Sequence, residues 1–204
     1  MHTILKQQLA AFGGLALLLA GCVEQRAEVG KADAAMLRPE LRISSSNASS
    51  RAERAFTAYV TGYGFWDNTP PGSAAIAKPV LHRQAGGVGS YDDPITLAVG
   101  HVIEGGRQTL DYPAGTRFYF ARLRKYAIVE DVCGNGHRPQ DGPCHTGHRG
   151  HPWLDIYVGG ARVSARETTA CAERITSLQP VIVNPRRGYP TEHGEIAGSG
   201  CRLY

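Results

Sequence analysis

The feature that most constrains this chain is a series of short, strand-like segments, each bounded by glycine, proline or other turn-forming residues. Residues 56–64 and 116–120 alternate between apolar and polar side chains, and the other segments are short apolar runs. This pattern predicts a small β-barrel or sandwich rather than packed helices. The segments are residues 56–64, 95–99, 116–120, 126–131, 153–158 and 181–183.

The rest of the chain divides into a single folded domain and a polar linker. Residues 22–55 are rich in alanine, serine and arginine and show no sustained periodicity, which predicts a flexible tether. Residues 56–204 are long enough for one domain with its own core. Within that domain, Ser164 to Ser177 is the one short helix that the second half of the sequence predicts.

The first residues have the composition of a bacterial lipoprotein leader. Lys6 supplies a positive charge, Leu9 to Leu19 is an apolar stretch too short to span a membrane, and small residues precede Cys22. We therefore predict a signal peptide over residues 1–21 and lipidation of Cys22, which would tie the protein to a membrane. Val23 favours the bacterial outer membrane, facing the periplasm. An uncleaved anchor, or an accidental apolar start followed by a free thiol, is the alternative.

Four cysteines remain once Cys22 is assigned to lipid, and an even number in an exported protein indicates two disulfides. Three pairings are open. We favour Cys133 with Cys144, which closes a short polar loop, and Cys171 with Cys201, which fixes the C-terminal tail. Metal-binding thiolates are the alternative, but the sequence contains no Cys-x-x-Cys pair.

Charge and motifs exclude several classes of function. The chain has 22 Lys and Arg against 18 Asp and Glu, a net charge of +4, and this mild excess does not predict nucleic-acid binding. No phosphate-binding loop, dinucleotide fingerprint or Gly-x-Ser-x-Gly elbow is present. We predict no cofactor and a monomer.

Three segments together resemble the double-psi β-barrels, which include rare-lipoprotein-A proteins, expansins and family-45 endoglucanases. A Pro-x-Gly-Thr turn at 113–116 leads into a strand, a strand at 125–131 ends in Asp beside Cys133, and Asp155 lies between apolar residues in 154–158. Segments 63–72 and 86–96 look closer to a group of small secreted fungal proteins. The resemblance implies a six-stranded double-psi barrel with one or two short helices and long Gly/Pro-rich loops.

The resemblance also implies that Asp131 is the catalytic or substrate-orienting acid of a glycan-cleaving groove and that Asp155 is the second, assisting acid, because glycan cleavage needs a protonated acid and help for the nucleophile. Each of the two lies at or near a predicted strand end. The alternatives are that Asp131 only accepts backbone hydrogen bonds at a corner and that Asp155 pairs with an arginine. Asp92, next to Asp93-Pro94, is a further acid that could join the groove, although Asp is common before such a turn.

Aromatic residues could stack on sugar rings, since they combine an apolar face with a polar edge. Trp66, beside Asp67 in a turn, is the strongest of them, and Tyr63 precedes it. Tyr119 and Trp153 lie on predicted strands and are better explained as core. The full set is Tyr63, Trp66, Tyr91, Tyr119 and Trp153.

Four histidines cluster around Cys144, at His137, His145, His148 and His151. A zinc site is one interpretation, but the spacing does not place two ligands on one helix or strand face. A solvated loop that gains charge below pH ~6.5, and that could contact an anionic glycan, is favoured over a metal site.

These observations support two hypotheses about function. In the first, the barrel binds a cell-wall polysaccharide such as peptidoglycan and cleaves it, as a glycoside hydrolase or a lytic transglycosylase would. The predicted substrate contacts are Tyr63, Trp66, Asp67 and Asp92. In the second, the same barrel is a non-catalytic glycan-binding or protein-inhibitor module. The fold does not decide between them.

Overall fold

A closed β-barrel of six strands forms the centre of the computed structural model, which describes residues 52–204. The predicted signal peptide, Cys22 and nearly all of the predicted tether lie outside the described residues. The strands are β1 Arg54–Tyr63, β2 Ile95–Val99, β3 His101–Glu104, β4 Arg107–Leu110, β5 Arg117–Phe120, β6 Lys125–Val132, β7 Trp153–Tyr157 and β8 Ser177–Val183.

The barrel mixes parallel and antiparallel neighbours. Around the barrel the order is β1, β7, β2, β6, β5 and β8, and β8 pairs with β1 to close it. The pairs β1 with β7 and β2 with β6 are parallel, and the other pairs are antiparallel. The prediction of a mainly β, six-stranded barrel is therefore confirmed.

The barrel interior is filled by one apolar cluster, because alternate residues along each strand point inwards. Val60, Leu97, Val129, Leu154 and Ile156 are each fully buried in it. The same alternation places the intervening residues of these strands on the outer face, where long loops cover them. The loops therefore decide which outer-face residues reach solvent.

The strands β3 and β4 form a separate hairpin that the sequence analysis did not predict. Gly105 and Gly106 join them, and both have positive φ, as a two-residue hairpin turn requires. The side-chain amide of Gln140 exchanges two 3.3 Å hydrogen bonds with the backbone N–H and C=O of Ile103. That amide thus occupies backbone groups on the outer edge of β3.

Two short helices complete the fold, as predicted. Helix α1, Pro143–Thr146, lies in the histidine-rich segment, and helix α2, Ala165–Ile175, follows β7. Ser164 begins α2 through a capping box, since its hydroxyl accepts from the backbone N–H of Glu167 and the Glu167 carboxylate accepts from the backbone N–H of Ser164. In residues 52–204, neither helix has the length and apolar character needed to cross a membrane.

Both favoured disulfides are present. Cys133 is bonded to Cys144, 11 residues away, and Cys171 of α2 is bonded to Cys201, 30 residues away. The first ties the end of β6 to α1, and the second fixes the C-terminal tail against α2. Two such bonds are typical of a protein that folds in an oxidising compartment.

Loop length predicts which bond stabilises the fold more. Replacing Cys171 and Cys201 by alanine should lower the free energy of unfolding by ~3.5 kcal/mol, and replacing Cys133 and Cys144 by ~2.7 kcal/mol, because the longer loop loses more entropy when closed. Urea unfolding of the two double variants measures the difference. The opposite order would mean that local packing outweighs loop entropy.

Candidate functional site

Two acidic residues flank the same residue of β2 in the barrel wall. Ala98 pairs with Asp131 of β6 on one side and with Asp155 of β7 on the other. Residues paired across neighbouring strands point to the same face, and two strand spacings put the Asp131 and Asp155 Cα atoms about 10 Å apart. The irregularity between Leu97 and Ala98 shifts this register, so that Asp131 rather than Glu130 pairs with Ala98.

A cavity of about 350 Å³ lies over this row of residues. Its walls come from the barrel and from the loop between β1 and β2. The lining residues are Tyr63, Asp67, Asn68, Thr69, Ala75, Ile76, Ala77, Ala98, Asp131, Val132, Cys133, Gly134, Asn135 and Asp155. Four of the predicted site residues, Tyr63, Asp67, Asp131 and Asp155, are thus brought together.

Asp131 is buried and held by three hydrogen bonds. Its Oδ1 atom accepts from the backbone N–H groups of Ala77, at 3.0 Å, and Val132, at 2.9 Å. Its Oδ2 atom accepts from the Tyr63 hydroxyl at 2.9 Å. Burial raises the pKa of Asp131 above its ordinary value, against the opposing effect of these bonds. The contact with Ala77 makes Asp131 a fixed support for the loop over the cavity.

Asp155 is less constrained by hydrogen bonds. Its Oδ1 atom accepts from the Thr61 hydroxyl at 2.6 Å, and that hydroxyl oxygen accepts from the Trp153 indole N–H at 2.8 Å. Loss of hydration raises the pKa of Asp155 to about 7, and the negative charges of Asp67 and Asp131 act in the same direction. A pKa of about 7 means that protonated and ionised forms of Asp155 are both well populated at neutral pH.

Asp67 is an exposed carboxylate in the part of the cavity lining that comes from the loop between β1 and β2. Its Oδ1 atom accepts from the backbone N–H of Gly64 at 2.7 Å, which fixes the tight turn that follows β1. A side chain at Gly64 would collide with Thr168 of α2 and with the Gly159 carbonyl, so the turn packs closely against the helix. In residues 52–204, none of Asp67, Asp131 and Asp155 forms an ion pair, which argues against the arginine-paired alternative for Asp155.

Two predicted substrate contacts do not lie in this cavity. Trp66 is 42% exposed, but its indole N–H donates to the carbonyls of Gly160 and Val163, so it fastens the turn to the loop before α2. Asp92 forms a two-pronged ion pair with Arg187 instead of joining the acids. Trp66 and Asp92 thus lie outside the cavity that contains the other predicted site residues, because a different loop engages each of them.

The other aromatic residues have mixed roles. Tyr119 is buried in the layer outside β5, as expected, and its hydroxyl donates to Pro190. Tyr91 lies under the guanidinium groups of Arg117 and Arg187. Trp153, expected in the core, is only half-buried on the outer face of β7.

A buried carboxylate that the sequence analysis missed holds the same loop. Glu130 is fully buried, and its Oε1 atom accepts from three successive backbone N–H groups of residues 80–82. Its Oε2 atom lies 2.6 Å from His82 Nδ1, and His82 Nε2 lies 2.8 Å from Asp93. Burial opposes the ionised form of Glu130, but these hydrogen bonds stabilise the carboxylate and lower its pKa. Burial also opposes the charged form of His82, but its hydrogen bonds to the carboxylates of Glu130 and Asp93 raise its pKa.

The four histidines of the α1 segment do not converge. His145 Nδ1 lies 2.6 Å from Asp111, His148 stacks on Tyr59, and His137 is exposed. His148 and His151 pair through their backbones only. Among the described residues, no group of three or more His, Cys, Asp or Glu side chains is arranged to hold a metal ion.

The comparisons with known proteins identify a family. The model of the DDB_G0273701 N-terminal domain matches residues 55–202, nearly the whole described region. The uncharacterized Dictyostelium discoideum protein DDB_G0273701/DDB_G0273221 is 34% identical over 145 residues, which is 71% of this chain and 57% of that protein. The chain thus spans little more than half the length of this relative. No solved structure matches the chain.

These comparisons correct the predicted location. The relative comes from Dictyostelium, and the family model carries the name of that same protein. Dictyostelium is a eukaryote and has no outer membrane, so the prediction of a lipoprotein in a bacterial outer membrane is wrong. The leader pattern and Cys22, on which that prediction rested, lie outside the described residues.

The raised pKa of Asp155 predicts how stability depends on pH. Between an unfolded pKa near 3.8 and a folded pKa of about 7, the folded state binds more protons, so the free energy of unfolding falls as pH rises. Asp155→Asn removes this effect. The variant should gain roughly 3 kcal/mol in free energy of unfolding relative to the wild type between pH 5 and pH 8.

Urea unfolding at the two pH values measures this gain. Glu104→Gln, which removes an exposed carboxylate of the β3–β4 hairpin, serves as the control and should show no comparable change. A constant difference between Asp155→Asn and the wild type at both pH values would show that Asp155 is ionised across this range.

Proposed function

The chain belongs to the family of the DDB_G0273701 N-terminal domain, and we propose that its barrel binds and cleaves a polysaccharide in the cavity between Asp155 and Asp67. One observation carries this proposal. A carboxyl group with a pKa of about 7 shares a cavity of about 350 Å³ with an exposed carboxylate. Glycan cleavage uses such a pair, one carboxyl protonated and the other ionised.

Asp155 is the general acid in this proposal. Its proton passes to the glycosidic oxygen as the bond from that oxygen to the anomeric carbon breaks, and the leaving sugar departs as an alcohol. The Thr61 hydroxyl, which bonds Oδ1 at 2.6 Å, orients the carboxyl and stabilises the carboxylate that remains. A pKa near the working pH suits an acid that must give up its proton and then regain it.

Asp67 is the general base. Its Oδ1 atom is engaged by the backbone of Gly64, and its exposed position leaves the carboxylate accessible to water. A water molecule that attacks the anomeric carbon would pass its proton to Asp67. The charge of Asp67 also raises the pKa of Asp155, so the base helps to keep the acid protonated.

Asp131 has a supporting role here, in contrast to the sequence-based hypothesis that made it the acid. Three hydrogen bonds engage its two oxygens, and one of them holds Ala77 of the cavity wall. Protonating Asp131 would weaken these bonds, so it is the poorer proton donor of the two. Its contribution is to position the wall and to add negative charge near Asp155.

The double-psi resemblance supports a role for Asp155 in glycan cleavage, although it assigned the acid to Asp131 and did not point to Asp67 as the base. Asp155 lies in the apolar-Asp-apolar setting that suggested the resemblance, and Asp67 follows Trp66 in the turn after β1. The mixed six-stranded barrel supports it as well. We therefore extend to this family the proposal of a double-psi barrel that acts on glycans.

Fragment release tests the proposal. Purified protein is incubated with peptidoglycan, chitin or cellulose, and soluble fragments are measured by mass spectrometry. Asp155→Asn and Asp67→Asn should each reduce release at least 100-fold, because general acid–base catalysis contributes about 10²–10⁴ in rate. In the wild type the turnover rate should fall as pH rises through about 7, since Asp155 must be protonated.

Glu104→Gln is the matched control and should release fragments at the wild-type rate, because Glu104 lies on the hairpin outside the barrel. Wild-type protein that sediments with one of the polymers but never releases fragments would support the non-catalytic binding module instead. Unchanged release by Asp155→Asn would remove Asp155 from the mechanism.

A further inference from the structure

Three aromatic rings form a cluster on the outer face of β1 and β7. Tyr59 pairs with Trp153 across the two strands, and their ring centroids lie 4.6 Å apart, edge to face. The His148 ring stacks on Tyr59 with centroids 4.1 Å apart. All three side chains remain partly exposed. The barrel core does not need these rings, since alternation points them outwards.

This aromatic cluster adjoins the acid of the proposed reaction. Thr61 and Asp155 are paired two residues further along the same two strands, on the same face, at a distance of ~6.6 Å along the strand. The two groups are also linked by bonds, because the Trp153 indole N–H donates to Thr61 and Thr61 donates to Asp155. The cluster is therefore next to Asp155 of the cavity lining and linked to it through Thr61.

The position of His148 is fixed by a tight turn. His148 and His151 exchange two backbone hydrogen bonds of 2.9 Å, and Arg149 and Gly150 between them both have positive φ, as in a two-residue hairpin turn. The turn is joined to β1 because the backbone N–H of Tyr59 donates to Pro152 at 2.9 Å. The ring of His148 is thus held on Tyr59 before any ligand binds.

We propose that the cluster of Tyr59, His148 and Trp153 binds the sugar ring next to the bond that is cleaved at Asp155. The inference rests on the proposed function and narrows its substrate. Rings of this kind stack on the apolar faces of sugars whose hydroxyl groups all lie around the ring edge. The substrate class is therefore a polymer of sugars of this kind, such as glucose or N-acetylglucosamine, bound along β1 and β7.

Binding of oligosaccharides tests this inference. The probes are β-1,4-linked glucose and N-acetylglucosamine oligomers of two to six units, and their affinity is measured by calorimetry with Asp155→Asn protein, which cannot turn them over. Adding Tyr59→Ala or His148→Ala should weaken the binding of the longer oligomers between about twofold and tenfold each. Affinity should therefore rise less steeply with the number of sugar units in these variants than in the protein with Asp155→Asn alone.

Turnover by the otherwise wild-type enzyme gives the second measurement. Tyr59→Ala and His148→Ala should raise KM by the same factor and leave kcat within about twofold, because the cluster binds sugar and does not touch the reacting atoms. Tyr204→Ala is the control. It removes a ring that is 44% exposed and that lines a different cavity, beside Lys125.

The outcomes separate this inference from the proposed function. Wild-type protein that neither binds nor cleaves either series would overturn both. Cleavage by the wild type with unchanged KM in Tyr59→Ala, in His148→Ala and in the double variant would overturn the inference alone. If the variants lost the same factor of affinity for oligomers of every length and also had a lower melting temperature, the rings would only support the fold. That result would also overturn the inference.

Discussion

The buried carboxylate of Glu130 is the interaction on which the site depends. The loop of about thirty residues between β1 and β2 has little secondary structure, and three of its backbone N–H groups end on one oxygen of Glu130. The neighbouring residue, Asp131, accepts from Ala77 of the same loop. The last residues of β6 thus provide hydrogen-bond partners for backbone N–H groups of this loop. If these groups were buried without partners, the fold would lose considerable free energy. The wall of the cavity exists because β6 ends in two acids.

Much of the fold could be predicted from the sequence, because its strands are short and clearly bounded. Strand alternation identified β1 and β5, and the sequence of Ser164 to Ser177 identified α2, whose capping box is visible as Ser and Glu three residues apart. The β3–β4 hairpin was missed, although Gly105-Gly106 is a known turn signal, because the flanking residues are mostly polar and show little apolar alternation. The disulfide pairing followed from loop length.

The site was predicted less completely. Asp131 and Asp155 were found from their predicted strand-end positions and the resemblance. Asp131 does lie near the end of β6, whereas Asp155 is the central residue of β7, and the register around Ala98 places both on one face. The sequence-based hypothesis made Asp131 the acid, because the sequence does not show what raises the pKa of Asp155. That pKa depends first on burial and then on the charge of Asp67, which is 88 positions away in the chain. Glu130 carried no signal, because a single acid within an apolar strand looks the same whether it is solvated or buried. The ring of His148 was considered as a metal ligand or as part of a solvated loop, whereas in the structure it stacks on Tyr59.

The amide of Gln140 against β3 has a consequence for how the molecule meets other chains. A closed barrel has no free backbone edge, so the hairpin is where residues 52–204 expose strand edges that could pair with a foreign strand. Gln140 occupies the N–H and C=O of Ile103 on one edge, and β4 carries Arg107 on the other. The Gln140 side chain thereby takes the place of a neighbouring strand at this edge, which protects the protein from edge-to-edge aggregation.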